Sequence, residues 1–308
     1  MKRVIITGAN SFIGYRLCKI LTEKGYFVFA VIRKDNVNNH ILNNCSNLKL
    51  IYAEMENYKN LDKLIQEKCD IGIAVAWNGT RGSDRNNESM QKQNYDLSIN
   101  CIEAFIRLGC TKILTAGSQA EYGPWLNLKK VTENDKCRPN TAYGRYKLDF
   151  YNKAQEICLK KKVTLIEPRF FSLYGEDDSG KTMIISMVHN MLQNKPCKLT
   201  ECKQLWDFLY IDDAINALFG LIESDDANGV YNFGSGISRP LKEFVIQMKE
   251  LTKSNSDILF GSVPYPSTGI VNTNPCIEKL CKTINWKPQV SFECGIQKVV
   301  KFINEDLK

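Results

Sequence analysis

Short apolar runs alternate with segments of helical spacing over the first half of the chain. The runs are rich in β-branched residues, as in strands that are buried on both faces of a parallel sheet. We expect strands at residues 2–6, 26–32, 48–53, 71–76, 112–115 and 163–167. Apolar residues recur at helical intervals in the segments 15–23, 61–67, 94–108 and 143–160. The pattern predicts an α/β fold built on a doubly wound parallel sheet.

The regular alternation ends near Tyr174, beyond which Gly, Asp and Pro interrupt the apolar segments. We expect residues 1–174 to form the domain that contains the sheet. Residues 175–308 would form mainly a smaller C-terminal lobe that covers the substrate, with some elements returning to the first domain. No repeat, low-complexity segment or Pro/Ser-rich linker interrupts the sequence.

The first strand is followed by TGANSFIG, residues 7–14, and then by a helix and a second strand. In such a βαβ unit the helix N-terminus binds the pyrophosphate of a dinucleotide. Gly8 would permit the tight turn, and Gly14 would allow the helix to pack closely on the strand. Ser11 stands where the middle glycine is usual, and its small side chain still lets the backbone approach a phosphate. The segment predicts a Rossmann-type dinucleotide site.

The end of the second strand bears on the choice between NAD and NADP. An Asp or Glu usually stands there and binds the ribose 2′-hydroxyl of NAD. Here Ile32 occupies that place, and Arg33 and Lys34 follow it, which suits a 2′-phosphate. We therefore expect NADP(H) as the preferred cofactor, with Arg33 as its main contact. NAD(H) stays an alternative because Asp35 comes next.

Two further strand ends offer contacts to ligands. Glu54 and Met55 follow the third strand, where a carboxylate suits the adenine amino group. The loop that starts at Trp77 leaves the fourth strand at its carboxyl end, and it carries Thr80 and Arg81. Ligands bind at this edge of an open α/β sheet, so we count these residues as candidates.

Tyr143 and Lys147 lie four residues apart and therefore share one face of the predicted helix. A nearby ammonium favours the phenolate and would lower the pKa of Tyr143 toward the working pH. Such a tyrosine can exchange a proton with an alcohol or carbonyl oxygen while a hydride moves elsewhere. Ser118, just after the fifth strand, would hold the same oxygen by a second hydrogen bond. These three residues are the predicted catalytic set.

Composition narrows the possible functions. The net charge is +7, but basic and acidic residues are interleaved, so we expect no nucleic-acid surface. The 12 cysteines are scattered singly beside only 2 histidines, which argues against the common zinc patterns. The apolar runs are too short for a membrane span, and we expect no signal peptide before the first strand. We expect a cytoplasmic protein with reduced thiols and no metal.

Seven motifs together resemble an extended short-chain dehydrogenase/reductase of the nucleotide-sugar epimerase, dehydratase and reductase group. They span nearly the whole chain and read, in order, TGANSFIG, GSQAEYG, YGRYK, PRFFSLYG, WDFLYIDDAINAL, YNFGSG and INWKPQVSFECGI. The resemblance implies a Rossmann domain for the cofactor and a C-terminal lobe for a nucleoside diphosphate sugar. It also leads us to expect a homodimer.

By this resemblance Tyr143 is the acid/base and a cofactor contact, Lys147 is its electrostatic partner and a ribose ligand, and Ser118 donates to the substrate oxygen. The remaining implied contacts belong to the cofactor or to the substrate. For the cofactor they are Gly8, Asn10, Ser11, Phe12, Ile13, Gly14, Ala76, Trp77 and Phe170. For the substrate they are Thr80, Arg81, Gln119, Ser172, Trp206 and Arg239.

Two departures distinguish the chain within the group. The 4,6-dehydratases place an Asp-Glu pair directly after the catalytic Ser or Thr, whereas Gln119-Ala120 stands here, so we do not expect dehydration. Trp206 replaces the Arg that often precedes the Asp-Phe of the diphosphate-binding segment. Phosphate binding would then fall to another residue, for which Arg239 is the candidate.

Three functions remain open at this point. We favour NADPH-dependent reduction of the C4 ketone of an NDP-4-keto-6-deoxy or 3,6-dideoxy sugar, in deoxysugar biosynthesis. The segments 184–211 and 250–261 are most similar to ketoreductases of the CDP-paratose and CDP-abequose synthase type. An NAD-dependent epimerase would use the same Ser, Tyr and Lys. A non-catalytic NADP-binding regulator would have no need of them.

Overall fold

The structure is a computed structural model that describes residues 1–34, 42, 45, 47–178, 180, 182–265 and 270–306. Asp35, which bears on the choice of cofactor, lies outside the described residues. In chain order the strands are β1 (Arg3–Thr7), β2 (Phe27–Ile32), β3 (Leu48–Tyr52), β4 (Ile71–Ala74), β5 (Lys112–Thr115), β6 (Gly117–Ser118), β7 (Thr164–Phe170), β8 (Leu173–Tyr174), β9 (Cys197–Lys198), β10 (Leu205–Trp206), β11 (Leu209–Tyr210), β12 (Gly229–Phe233), β13 (Arg239–Pro240) and β14 (Ile258–Leu259). The α-helices are α1 (Gly14–Glu23), α2 (Leu61–Leu64), α3 (Glu88–Arg107), α4 (Ala142–Lys161), α5 (Met183–Leu192), α6 (Ile211–Glu223), α7 (Leu241–Leu251), α8 (Glu278–Ile284) and α9 (Phe292–Asp306). Short 3-10 helices cover Met55–Asn60, Gly82–Asn86 and Gln119–Glu121.

One parallel sheet organises the described part of the chain. Its strand order is β3-β2-β1-β4-β5-β7-β12, with the short β6 beside β7. The order reverses between β1 and β4, and an open α/β sheet binds its ligand at such a point. Thr7, Val31 and Ala74 stand in register at the carboxyl ends of three adjacent strands, so the loops that follow converge. The predicted Rossmann-type α/β fold is confirmed.

Each face of the sheet buries its own apolar core. Along β1, Val4 and Ile6 belong to one core and Ile5 to the other, because successive side chains of a strand point to opposite faces. Helices α1, α5, α6, α7 and α9 pack on the first face, and α2, α3 and α4 pack on the second. Covering both faces explains why the strands are continuous apolar runs rather than alternating ones.

Several element boundaries differ from the sequence prediction. Helix α2 ends at Leu64 rather than residue 67, and strand β4 ends at Ala74 rather than residue 76. Helix α3 begins at Glu88, well before the predicted residue 94, because the Asn87 side chain caps it by accepting a hydrogen bond from the Met90 backbone N–H at 3.1 Å. Strand β7 runs through Pro168 to Phe170, since β12 and β6 pair with its second half. Strand β12 is distant in sequence and β6 is very short, so the local pattern around β7 does not reveal either partner.

The segments beyond residue 174 contribute to the sheet and also form a layer of their own. Strand β12 extends the main sheet beside β7, and α6 packs against α1. The strand pairs β8–β11, β10–β13 and β9–β14 lie outside the main sheet. Among the described residues, the helices are too short or too polar to cross a membrane.

Candidate active site

The turn after β1 brings the start of α1 close to the sheet. Gly8 has a φ of +69°, a conformation that favours glycine, and its carbonyl accepts a hydrogen bond from the Ser11 backbone N–H at 3.0 Å. A Cβ added at Gly14 would lie 2.2 Å from the Gly8 carbonyl oxygen, so this position also requires glycine. The Ser11 hydroxyl accepts a hydrogen bond from the Gly14 N–H at 3.1 Å. The turn therefore has the close packing that a dinucleotide-binding turn needs.

A cavity of about 200 Å³ adjoins this turn at the ends of β1, β2 and β4. Its lining residues are Gly8, Asn10, Ser11, Val31, Ile32, Arg33, Met55, Tyr58, Val75, Ala76, Trp77 and Asn78. Seven of the predicted cofactor contacts are in this set, and no carboxylate is among these lining residues. Burial raises the pKa of Tyr58, and the charge of nearby Arg33 opposes that increase. The carboxyl ends of the strands at this point of an open α/β sheet are where a dinucleotide binds.

A larger cleft of about 540 Å³ lies on the other side of Trp77, which borders both cavities. It brings together the predicted catalytic residues and most of the predicted substrate contacts. The predicted residues that line it are Phe12, Ile13, Trp77, Thr80, Arg81, Ser118, Gln119, Tyr143, Lys147, Phe170, Ser172 and Trp206. Sheet loops and segments from both halves of the chain therefore meet around one space.

Tyr143 lies in the first turn of α4, where the Thr141 side chain caps the helix by accepting from the Gly144 N–H at 3.1 Å. Its ring is buried, and burial raises the pKa of Tyr143, while a hydrogen bond with the Ser118 hydroxyl and the charge of Arg85 lower it. The expectation that Lys147 brings the pKa below its ordinary value is wrong for this structure. Desolvation outweighs the Ser118 hydrogen bond and the charge of Arg85, so the pKa of Tyr143 is raised.

Lys147 follows one turn later on α4, and its side chain is also buried, with 3% exposed. Its ammonium donates a hydrogen bond to the Ala116 carbonyl at 2.7 Å and lies 3.8 Å from the centroid of the Trp77 ring. Burial lowers the pKa of Lys147 to about 8, although Glu121 and Glu167 oppose this. The ammonium is thus held in a fixed place, and it is 5.9 Å from the centroid of the Tyr143 ring.

Ser118 is fixed from beneath by a buried charge cluster. The Glu121 carboxylate accepts a hydrogen bond from the Ser118 backbone N–H at 2.7 Å. Arg169 Nε donates to Glu121 at 2.8 Å and to Glu167 at 3.2 Å, and the side chains of all three are at most 3% exposed. Burial raises the pKa of Glu167, and the adjacent Glu121 raises it further. The cluster holds the 3-10 turn that presents the Ser118 hydroxyl to the cleft.

The sequence reasoning missed two residues of α3 that hold the loop after β4. The Gln91 amide donates hydrogen bonds to the carbonyls of Gly79 at 2.9 Å and Asp84 at 3.0 Å, and its oxygen accepts from Trp77 Nε1 at 2.8 Å. Asn94 accepts from the Asn78 N–H at 3.1 Å and donates to the Asn78 carbonyl at 2.9 Å. Both amides are buried, and polar residues three apart on the inner face of a helix are the signal that could have identified them.

Four predicted contacts lie away from the two cavities. Lys34 and Glu54 are exposed and line neither, and Gly14 is buried against the turn. Arg239 lines a third cavity, of about 530 Å³, where its guanidinium carbon is 4.0 Å from the centroid of the Phe244 ring. Phe208 borders both this cavity and the cleft. Within the described ranges, no group of three or more His, Cys, Asp or Glu side chains could hold a metal ion.

Comparison with known proteins agrees with this geometry. The model of the NAD dependent epimerase/dehydratase family matches residues 4–234. CDP-abequose synthase of Salmonella muenchen is 26% identical over 310 residues, which cover 97% of each chain. The structure of UDP-glucose 4-epimerase from Thermotoga maritima with UDP-glucose superposes with a TM-score of 0.88 at 18% identity, over 99% of this chain and 100% of that one. That of UDP-glucuronic acid 4-epimerase from Bacillus cereus with NAD gives 0.86 at 21% identity, over 99% and 100%.

The family match spans most of the chain, and the Ser118, Tyr143 and Lys147 set lies inside it. The resemblance that the sequence motifs indicated is thereby confirmed. The chain belongs to the NAD-dependent epimerase/dehydratase family of extended short-chain dehydrogenases/reductases.

Proposed function

We propose that this protein is an NADPH-dependent reductase of the C4 ketone of an NDP-4-keto-6-deoxy or 3,6-dideoxy sugar. The observation that carries the proposal is the pair of adjoining cavities. One contains Arg33 and no carboxylate among its lining residues, and the other contains Ser118, Tyr143 and Lys147. The first suits the 2′-phosphate of a cofactor that cells use for reductions. The second suits proton transfer at a carbonyl oxygen.

In this proposal each residue of the cleft has a separate role. A bound nicotinamide would supply the hydride to C4. Tyr143 donates its phenolic proton to the oxygen that becomes the C4 hydroxyl, and Ser118 donates a second hydrogen bond to that oxygen. Lys147, held by Ala116 and Trp77, contributes a positive charge beside the tyrosine and a donor for the cofactor ribose. Trp77 borders both cavities and so would lie beside the bound cofactor.

The substrate is proposed to be a nucleoside diphosphate sugar that enters from the side of the C-terminal segments. Thr182, Trp206 and Phe208 come from that part of the chain and line the cleft opposite Ser118. We propose the third cavity, with Arg239, as the place where the nucleotide part extends. Gln119 and Ala120 stand after Ser118 and cannot serve as a general acid and base, so the elimination of water is not proposed.

Epimerisation at C4 is the second candidate, and the comparisons supply the observation that favours it. The two solved structures named above are titled as 4-epimerases, and one of them was solved with NAD. An epimerase would use the same Ser118, Tyr143 and Lys147 but would keep its cofactor bound and return the hydride to the other face of the sugar. The two functions therefore differ in how the cofactor is held.

The test is the identity and exchange of the cofactor. Purified protein is analysed for any nucleotide that copurifies and is then titrated with NADPH and NADH, with binding followed by nicotinamide fluorescence. We expect exchangeable NADPH that binds at least about tenfold more tightly than NADH, as one charge-assisted contact to a 2′-phosphate provides. NAD that copurifies and does not exchange would overturn the reductase in favour of the epimerase.

A further inference from the structure

A second cation, Arg85, lies closer to the centroid of the Tyr143 ring than Lys147 does. The 3-10 helix Gly82–Asn86 carries Arg85 into the cleft, where its guanidinium carbon is 4.8 Å from the centroid of the Tyr143 ring. The corresponding distance for the Lys147 ammonium is 5.9 Å. Lys147 also donates a hydrogen bond to the Ala116 carbonyl and lies over the face of the Trp77 ring. The charge nearest to the tyrosine ring therefore comes from the loop after β4.

We propose that Arg85 is a positioning residue that stabilises the ionised form of Tyr143 during catalysis. The inference rests on the proposed function, since it assumes that Tyr143 exchanges a proton with the substrate. When Tyr143 gives up its proton, negative charge develops on the phenol inside a buried site. A guanidinium against the ring attracts that charge, and the buried tyrosine is less exposed to screening water than a surface residue is.

The balance of charges around Tyr143 explains why a second cation is useful. The groups that face it are Lys147 on the same helix, Arg85 on the loop, and Glu121 and Glu167 beneath. Burial raises the pKa of the tyrosine most, the Ser118 hydrogen bond and Arg85 lower it, and the two glutamates raise it further. Burial also lowers the pKa of Lys147 to about 8, so its charge declines as the pH rises through that value. Arginine keeps its charge throughout this range.

The backbone beside Arg85 is held by contacts that do not involve the substrate. Gln91 of α3 donates a hydrogen bond to the carbonyl of Asp84, the residue before Arg85, and another to the carbonyl of Gly79. Gln91 itself is buried. Arg81, four residues earlier on the same loop, instead donates to the buried Asp178 carboxylate at 2.8 Å. The loop thus directs one arginine to a carboxylate and the other to the tyrosine.

The test measures the ionisation of Tyr143 directly, in protein without substrate or cofactor. Tyrosines are replaced by 3-fluorotyrosine, which ionises at lower pH, and the fluorine NMR signal of Tyr143 is assigned with Tyr143→Phe. In Arg85→Gln we expect the pKa of Tyr143 to rise by about one unit, as the loss of an opposite charge at this distance produces. Arg85→Lys, which keeps the charge, should recover most of the shift.

The matched control is Arg145→Gln. Arg145 lies two residues after Tyr143 on the outer side of α4 and pairs with Glu88, so its loss should leave the Tyr143 titration unchanged. The other tyrosine signals report whether each variant is folded. An unchanged Tyr143 titration in folded Arg85→Gln, or an equal shift in Arg145→Gln, would overturn the inference.

Activity provides a second readout that separates this inference from the proposed function. In ketone reduction the protonated tyrosine is the active form, so the rate falls as the pH rises through the pKa of Tyr143. Arg85→Gln should move that basic limb to higher pH by the same shift that the NMR titration gives. If the titration shifts but no NDP-4-keto sugar is reduced, the function fails and the role of Arg85 stands. If sugar is reduced and neither the titration nor the limb shifts, the role of Arg85 fails and the function stands.

Discussion

The ammonium of Lys147 lies 3.8 Å from the centroid of the Trp77 ring, at the boundary between the two cavities of this protein. A cation over an indole ring in a desolvated site contributes about 2 kcal/mol. The same ammonium donates a hydrogen bond to the Ala116 carbonyl. Both residues that contact it, Trp77 and Ala116, follow strands at the carboxyl edge of the sheet. The lysine that we propose as catalytic is thereby held in place by Trp77, which borders both cavities.

The burial of Lys147 predicts a pH-dependent stability. Its pKa is about 8 in the folded protein and 10.5 in an ordinary environment, so between these values the unfolded chain holds a proton that the folded chain has released. Stability rises with pH wherever the unfolded state binds more protons. Relative to Lys147→Met, the wild type should gain on the order of 3 kcal/mol in free energy of unfolding from pH 7.5 to 10.5. Urea unfolding of both proteins across this range measures it, and a constant difference would refute it.

Tyr143→Phe should lower kcat by at least about 100-fold, since it removes the proton donor while keeping the ring. Cofactor affinity should stay within about twofold, because the ring contacts with Trp77 persist. Steady-state kinetics together with NADPH titration separates the two effects. Turnover that survives the substitution would remove Tyr143 from the mechanism.

Arg33→Ala should weaken NADPH binding by about 10- to 100-fold, as expected when a charged hydrogen bond to phosphate is lost. NADH binding should change little, because that cofactor has no 2′-phosphate. Fluorescence titrations with both cofactors give the ratio, and NADH acts as the internal control. Equal losses of affinity for NADPH and NADH would show that Arg33 does not contact the 2′-phosphate.

Glu121→Ala should destabilise the protein by about 3 kcal/mol. It removes a carboxylate that pairs with the buried Arg169, and it leaves the Ser118 N–H without its acceptor. Glu121→Gln keeps an acceptor and should lose less. The control is Glu156→Ala, which removes an exposed glutamate that pairs with Lys153 and Lys160 on the surface of α4. Its effect on urea unfolding should be much smaller, and similar losses for both alanine variants would contradict the assigned role of the cluster.

Gly14→Ala should be destabilising by about 1 to 3 kcal/mol and should weaken cofactor binding, because the new Cβ would meet the Gly8 carbonyl oxygen at 2.2 Å. Gly180→Ala is the matched control, since a Cβ at Gly180 would have no atom of the described residues within 4 Å. Thermal unfolding and NADPH titration of both variants test the prediction. A Gly14 variant that binds and unfolds like the control would show that the turn does not need close packing.

Local sequence features sufficed to predict the sheet and much of the site. The glycine turn depends on residues that are neighbours in the chain, and the Tyr143–Lys147 spacing places both on one helical face whatever the rest of the fold does. Ser118 follows a strand end, and strand ends of a parallel sheet meet at one edge. These relationships are fixed by chain geometry, so a single sequence contains them.

Other features depend on distances that the sequence does not encode locally. The pKa of Tyr143 is set by burial under the cleft, and the place of Arg85 is set by hydrogen bonds from Gln91 to the loop before it. Arg239 was a candidate phosphate ligand from its position in the chain, but the pairing of β10 with β13 directs it to a neighbouring cavity. Each of these requires the packing of segments that are far apart in sequence.

The cofactor balance tests the central claim most directly. The protein is incubated with excess NADPH and a limiting NDP-4-keto-6-deoxy sugar, and the NADP⁺ formed and the sugar consumed are both quantified. A ketoreductase forms one NADP⁺ for each sugar reduced, and this is the result we predict. Conversion of the sugar with no net oxidation of NADPH would contradict the reductase.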